Sequence, residues 1–210
     1  MLQTLTCVGT GGEAAHEGLD GIYLDGKKII DNCGPGLNVH ILSASLDPLQ
    51  SQAFDTSRKH DHAALMIERL KDADPSQVIC IHSSGPWERH VTDELVQLME
   101  KCGCTYVSGI VEMMLKDQGA QLTDLGQPFA FIGKCNIGFG YGEQDAVLIN
   151  QDSYGSQFAR VTCVYNLTEK NPNIKEHGVI LDGNIEQNTQ CNMRLLDINI
   201  INNTRTEDSE

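Results

Sequence analysis

The chain has 210 residues, 40% hydrophobic, 21% charged and 5% aromatic, which supplies enough apolar material for a packed core and excludes wholesale disorder. Its 29 acidic and 15 basic residues leave a formal charge of -14, a surface that repels phosphate backbones and anionic membranes, so no nucleic-acid partner is expected. No apolar run reaches the length of a bilayer, and the opening "MLQTLTCVGTGGEAAHEG" has neither the basic nor the apolar region of a signal peptide. A mature fragment with an added Met would read the same way.

Taken in order, "GIYLDGKKIIDN" predicts a hairpin, with strands over 22–24 and 28–30 about an Asp25-Gly26 turn. In "GPGLNVHILSAS", Leu37, Val39 and Ile41 alternate with Asn38 and His40, the pattern of a half-buried strand. "DPLQS" reads as a turn and "QAFDTS" as a short return strand. "HDHAALMIERLKDAD" is the clearest helix: Ala63, Met66, Ile67 and Leu70 make one apolar stripe, and Asp61 stands where an N-cap would. "QVICIHSS" reads as a buried strand and "GPWERH" as a loop. "TDELVQLMEKCG" is a second helix, capped by Thr92, closed at Gly103, with Leu95, Leu98, Met99 and Cys102 inward. "YVSGIVEMMLKDQG" fits either a strand and turn or a short helix, and "PFAFIG" is again a strand. After about residue 144 the chain turns rich in Asn and Gln, and short alternating runs predict a β-rich extension over 144–210 following a first unit over 1–143.

The glycine-rich run "GQPFAFIGKCNIGFGYGE" invites a nucleotide reading. A phosphate loop needs Lys and Ser/Thr after its last glycine, and a dinucleotide loop needs Gly-x-Gly-x-x-Gly. Here Gly142 is followed by Glu143, Gln144 and Asp145, whose acids would repel a pyrophosphate, so a tight turn or bulge after a strand is expected instead. His60, Asp61 and His62, and the pair Cys102 and Cys104, lack metal-ligand spacing with a partner pair, so neither a metal nor any other cofactor is expected. Ser83 beside His82 offers a nucleophile and base without a Gly-x-Ser-x-Gly elbow. Asp55, between a strand and a helix, is the acid to watch, though a turn or cap explains it equally. Trp87 in its loop reads as a lid on the core or as a ligand-stacking ring. Eight cysteines, Cys7, Cys33, Cys80, Cys102, Cys104, Cys135, Cys163 and Cys191, permit disulfides or buried thiols with connectivity open. Asn166-Leu167-Thr168 and Asn202-Asn203-Thr204 are glycosylation sequons if the chain is secreted.

Three pieces in order carry a resemblance: Gly36-Leu37-Asn38-Val39-His40-Ile41, Phe54-Asp55-Thr56 before the first helix, and Phe129-Ala130-Phe131-Ile132-Gly133. Together they resemble the interleukin-like EMT inducer (ILEI, PANDER or GG) domain over roughly residues 5–143. The resemblance implies an α+β fold of two antiparallel β-sheets flanked by helices, here with a β-rich C-terminal extension, and no catalytic centre. Members include secreted cytokine-like proteins and accessory modules that bind sugar beside carbohydrate-processing regions. A non-catalytic module for a glycan or protein partner follows, with Trp87, Asp55 and His82 as candidate ligand contacts and an extracellular or virion-associated setting. The alternative is a structural subunit of a viral, phage or filament assembly, a homo- or hetero-oligomer joined through residues 144–210. The family's usual Arg-Asp-Ser or Thr-Trp before the last strand is replaced here by Leu125-Gly126-Gln127-Pro128-Phe129. Residues 105–120 look like an insertion, and Tyr23 stands where secreted members often carry a cysteine.

Overall fold

The computed structural model describes residues 2–12, 14, 18–30, 33–116, 126–146, 158–166, 179–181 and 184–186. The elements run β1 (Leu2–Thr10), β2 (Gly21–Leu24), β3 (Lys27–Ile30), β4 (Gly36–Leu42), β5 (Pro48–Phe54), α1 (His62–Lys71), β6 (Val78–Ser84), α2 (Asp93–Lys101), α3 (Tyr106–Lys116), β7 (Phe129–Gly133), β8 (Glu143–Ala146), β9 (Phe158–Asn166), β10 (Val179–Leu181) and β11 (Asn184–Glu186), with a 3-10 turn at Glu88–His90. The class is mixed α and β, as expected. The strands do not form two separate sheets: they join in one hydrogen-bonded network that curls over on itself. One limb is β5-β4-β6-β7-β8, antiparallel throughout, and the other is built on β1 with β2, β3, β9, β10 and β11. A parallel bridge, Thr10 opposite Ser84, ties β1 to β6 where the limbs meet.

Strand alternation sends successive side chains to opposite faces, and in β6 both faces are buried. Ile79 and Ile81 enter a core with Leu37, Val39 and Ile41 of β4, Phe129 and Phe131 of β7, and the apolar stripes of α1 and α2. Val78 and Cys80 enter a second core with Leu5 and Cys7 of β1 and Ala159, Val161 and Cys163 of β9. The limbs therefore stack, with the helices outside the first. This corrects the half-buried reading of 36–41: all of β4 is buried, Asn38 and His40 included. It also places part of the extension in the body of the fold. Strand β9 pairs with β1 from Leu2–Asn166 to Thr10–Phe158, and β8 pairs with β7, so a division at 143/144 cuts through the packed unit.

The predicted helices are present, and Ala63, Met66, Ile67 and Leu70 are the buried residues of α1. Thr92 caps α2 by accepting the Leu95 N–H at 3.3 Å. Asp61 makes no side-chain cap on α1, a departure from expectation. Leu98 is only partly buried, and Val96 takes an inward place instead. The ambiguous stretch after Thr105 is helical over Tyr106–Lys116, its remainder lying outside the described residues. The hairpin turns at Asp25-Gly26, and β5 begins at Pro48, within the stretch read as a turn. No helix among the described residues is long and apolar enough to cross a membrane. None of the seven described cysteines forms a disulfide; Cys191 lies outside the described residues, as do Asn202 and the Leu167-Thr168 half of the first sequon, whose Asn166 ends β9.

The stacking depends on a close approach at Gly9 of β1, where a Cβ would collide with the Phe129 carbonyl of β7. Gly9→Ala is therefore expected to cost roughly 3 kcal/mol or more by forcing the limbs apart. Gly109, exposed on α3 with nothing near the place a Cβ would take, is expected to behave oppositely. Gly109→Ala should stabilise by about 0.5–1 kcal/mol through helix propensity. Urea midpoints of the two variants against the parent check both signs.

Candidate functional site

The three residues expected to meet a ligand do not share a site. Trp87 is 0% exposed. Its ring lies 5.6 Å from Phe129 in the helix-side core, and its Nε1–H donates to the Gln127 carbonyl at 2.7 Å. The ligand-stacking reading is thus corrected: the indole is a core plug. Asp55 is a turn residue whose Oδ1 accepts from the Arg58 N–H, while its own N–H donates to His62 Nδ1 at 2.8 Å. His82 points from the other face of β6 into the inter-limb layer. Ser83 does not face it: its hydroxyl donates to the Thr10 carbonyl and accepts from the Phe129 N–H, both at 2.9 Å. That hydroxyl clips β1 and β7 to β6. His60, the partner of His62 in that sequence pair, packs against His90 with ring centroids 3.7 Å apart and planes tilted by 41°.

The stretch where the family pattern changes is held from inside. Buried Glu88 accepts the Trp87 N–H at 2.9 Å and the Gln127 N–H at 2.6 Å through its two oxygens. Thr56 adds a hydroxyl bond to the Trp87 carbonyl at 2.5 Å. Burial pushes the Glu88 carboxyl up to about 7 against the pull of those N–H donors.

The glycine run does the reverse of a phosphate loop. Its N–H groups face the carbonyl end of α2: Gly138 donates to Lys101, Lys134 to Cys102 and Gly142 to Gly103, at 3.1, 3.3 and 3.1 Å. They satisfy carbonyls that a helix end leaves open, and the dipole there repels anions. Directly beyond, Gln144 Oε1 accepts the N–H groups of Thr105 and Tyr106 at 2.9 and 3.0 Å and the Cys104 thiol at 3.1 Å, capping α3 from a distant strand. The loop holds Phe139 in solvent at 62% exposure and Tyr141 at 42%. A cleft of about 520 Å³ lies here, lined by Gln97, Glu100, Lys101, Asn136, Gly138 and Phe139.

A polar cluster sits in the layer between the limbs, and sequence spacing did not assemble it. His40 on β4 lies opposite Ser51 on β5 and diagonal to His82 on β6. The two imidazoles stack with centroids 5.0 Å apart, and their Nε2 atoms are 2.9 Å apart. Cys33, just before β4, places its Sγ 3.7 Å from His82 Nε2. Asn38 fixes that approach: its amide takes the Gly34 N–H at 2.9 Å and donates to the Gly34 carbonyl at 2.8 Å. Burial and the facing His82 hold His40 down to about 3, and burial holds His82 down to about 4, so both rings are neutral at neutral pH.

Residues 35–134, from the start of β4 through β7, match the family described as Interleukin-like EMT inducer. No curated protein matches the chain. The matched span is narrower than 5–143: β1, β2 and β3 precede it, and β8 and β9 follow it.

Glu143 of β8 is buried beside Cys163 and Tyr165 of β9, and its Oε2 has no hydrogen-bond partner. Burial pushes its carboxyl from 4.5 up to about 7. The folded state binds this proton more tightly than the unfolded chain, so stability falls as pH rises from 4.5 toward 7 and stays low above it. Glu143→Gln should remove that part of the slope and stabilise the protein at pH ~8 by about 1–3 kcal/mol, leaving the slope that Glu88 contributes over the same range. Urea melts across the pH range read both. An unchanged slope in the variant would contradict the assignment. Over residues 35–134, then, the chain resembles the interleukin-like EMT inducer family.

Proposed function

We propose that this protein is a non-catalytic recognition module that binds a protein or glycan partner through the face formed by the glycine loop and the end of α2. The observation that carries the reading is Phe139, a solvent-exposed aromatic ring on a loop anchored at both ends to α2. Exposed aromatic rings bordered by amide and charged side chains suit both sugar stacking and protein hot spots. Gln97, Asn136, Glu100 and Lys101 supply that border. The Lys134, Gly138 and Gly142 amides are committed to carbonyls at the end of α2, which leaves the ring and the side chains to lead recognition on this face. The resemblance to a family with cytokine-like and sugar-binding members agrees with this reading.

A second reading, a subunit of a larger assembly, draws support from β11, which among the described residues ends the strand network as an edge to which a neighbouring copy could add a strand. The two readings differ in what disrupts them. Screening the full chain on a glycan array and against extracellular protein libraries should give a ligand that Phe139→Ala weakens at least about 10-fold, the scale of one aromatic anchor. Circular dichroism of that variant should match the parent. A ligand bound equally well by Phe139→Ala would place recognition elsewhere, and concentration-dependent oligomers with no ligand at all would favour the assembly reading.

A further inference from the structure

We propose that Cys33, His40 and His82 form a buried site for one zinc-class divalent cation, with the Asp20 carboxylate completing its charge balance. The ligand atoms Sγ, Nε2 and Nε2 all lie within 4.8 Å of one another. Tetrahedral zinc with ordinary bond lengths sets sulfur and nitrogen about 3.6 Å apart and two nitrogens about 3.4 Å apart. Cys33 Sγ and His82 Nε2 already stand at 3.7 Å, and the histidine nitrogens at 2.9 Å need a small parting. The first contact fits as it stands and the second requires only ring rotation.

The outer partners point the same way. His82 Nδ1 lies 3.3 Å from the Ser83 carbonyl, which can only accept, so His82 carries its proton on Nδ1 and presents a bare Nε2 inward. His40 Nδ1 lies 3.0 Å from Ser51 Oγ, a hydroxyl that can donate or accept. Without metal, His40 Nε2–H donates to His82 Nε2 while Ser51 donates to Nδ1. On binding a cation the Nε2 proton leaves to solvent, Nδ1 takes up a proton that it donates to Ser51, and both Nε2 lone pairs turn to the metal. The Cys33 thiol also gives up its proton. Ring N–H groups held by a carbonyl and a hydroxyl are the usual outer contacts of metal-bound histidines.

Asp20 is an independent observation. It is 3% exposed, its Oδ2 has no hydrogen-bond partner, its carbonyl lies 3.8 Å from Cys33 Sγ, and its charge acts on His40. A buried carboxylate oxygen without a hydrogen-bond partner is costly unless a positive charge sits near it. One thiolate, one carboxylate and two neutral imidazoles bring a dication to zero net charge, and the nitrogen and sulfur donors select zinc over magnesium or calcium. Cys33 is only partly buried, which leaves the ion a way in. The occupied site would pin the segment before β4 and strands β4 and β6 together at the meeting of the limbs.

The full chain, stripped with a chelator and titrated with zinc against a chromophoric competitor, is expected to bind one ion per chain and to melt at higher temperature when loaded. Cobalt in its place should show tetrahedral ligand-field bands with a thiolate charge-transfer band. Cys33→Ala, at a partly buried position before β4, should lose the charge-transfer band and weaken binding by about 100-fold or more. His82→Gln tests the second ligand, and circular dichroism reports its fold. Absence of stoichiometric binding, a cobalt spectrum without the thiolate band, or affinity unchanged in Cys33→Ala would each overturn the site. None of these readouts depends on the glycine-loop face.

Discussion

Strand β6 has no solvent face, and the rest of the molecule is organised by that. A strand at the centre of an antiparallel sheet ordinarily shows water one side. Here Ile79 and Ile81 feed the helix-side core while Val78 and Cys80 feed the core against β1 and β9, so two layers must be supplied by distant parts of the chain. The helices come from residues 62–116, and the covering limb from the first ten residues and residues 158–166. The parallel bridge at Thr10–Ser84 and the Ser83 hydroxyl lock the three pieces where they converge. Their closeness explains the absence of a side chain at Gly9.

A doubly covered strand with polar residues in it must satisfy them inside. The inter-limb layer holds Asn38, His40 and His82, and the protein handles them unequally. Asn38 closes a reciprocal pair with Gly34, the imidazoles face one another, and the carboxyls of Asp20 and Glu143 each keep an oxygen without a partner. Apolar burial alone would favour aliphatic residues at all of these positions. Retaining ionisable groups in a layer otherwise made mostly of aliphatic residues and cysteine costs stability that specificity, a bound ion or both must offset.

Periodicity in the sequence carries much of the local structure. The stripe in α1, the Thr92 cap and the 22–30 hairpin follow from patterns within a dozen residues, and the structure contains them. What escaped is long-range. Alternation in 36–41 marks Asn38 and His40 as facing away from Leu37 and Val39, which is right, but the pattern does not say whether water or another layer waits there. The layer comes from β1 and β9, and β1 itself, LQTLTCVGT, alternates Leu5, Cys7 and Gly9 too weakly for hydrophobicity to single it out. Trp87 was ambiguous for the same reason: a loop position predicts exposure, and the Gln127 carbonyl and Phe129 ring, forty residues on, help bury the indole. The cluster of Cys33, His40 and His82 is spread over three segments, with no spacing that local reading could catch.

The glycine run shows how one backbone feature can serve two ends. Glycines after a strand suggest anion binding because their N–H groups are free to converge, yet convergence has no fixed sign: the donors satisfy whichever acceptor the fold brings up. Here the acceptors are the carbonyls of Lys101, Cys102 and Gly103 at the negative end of α2, so the amides are occupied and an anion is disfavoured. The same bonds hold the loop against the helix while its tip carries Phe139 outward, past any contact that would bury it. An anchored loop loses little entropy when a partner meets it, which makes an exposed ring on such a loop a better recognition element than one on a free tail. The constraint that commits these amides to helix carbonyls is therefore also what holds the exposed ring in place.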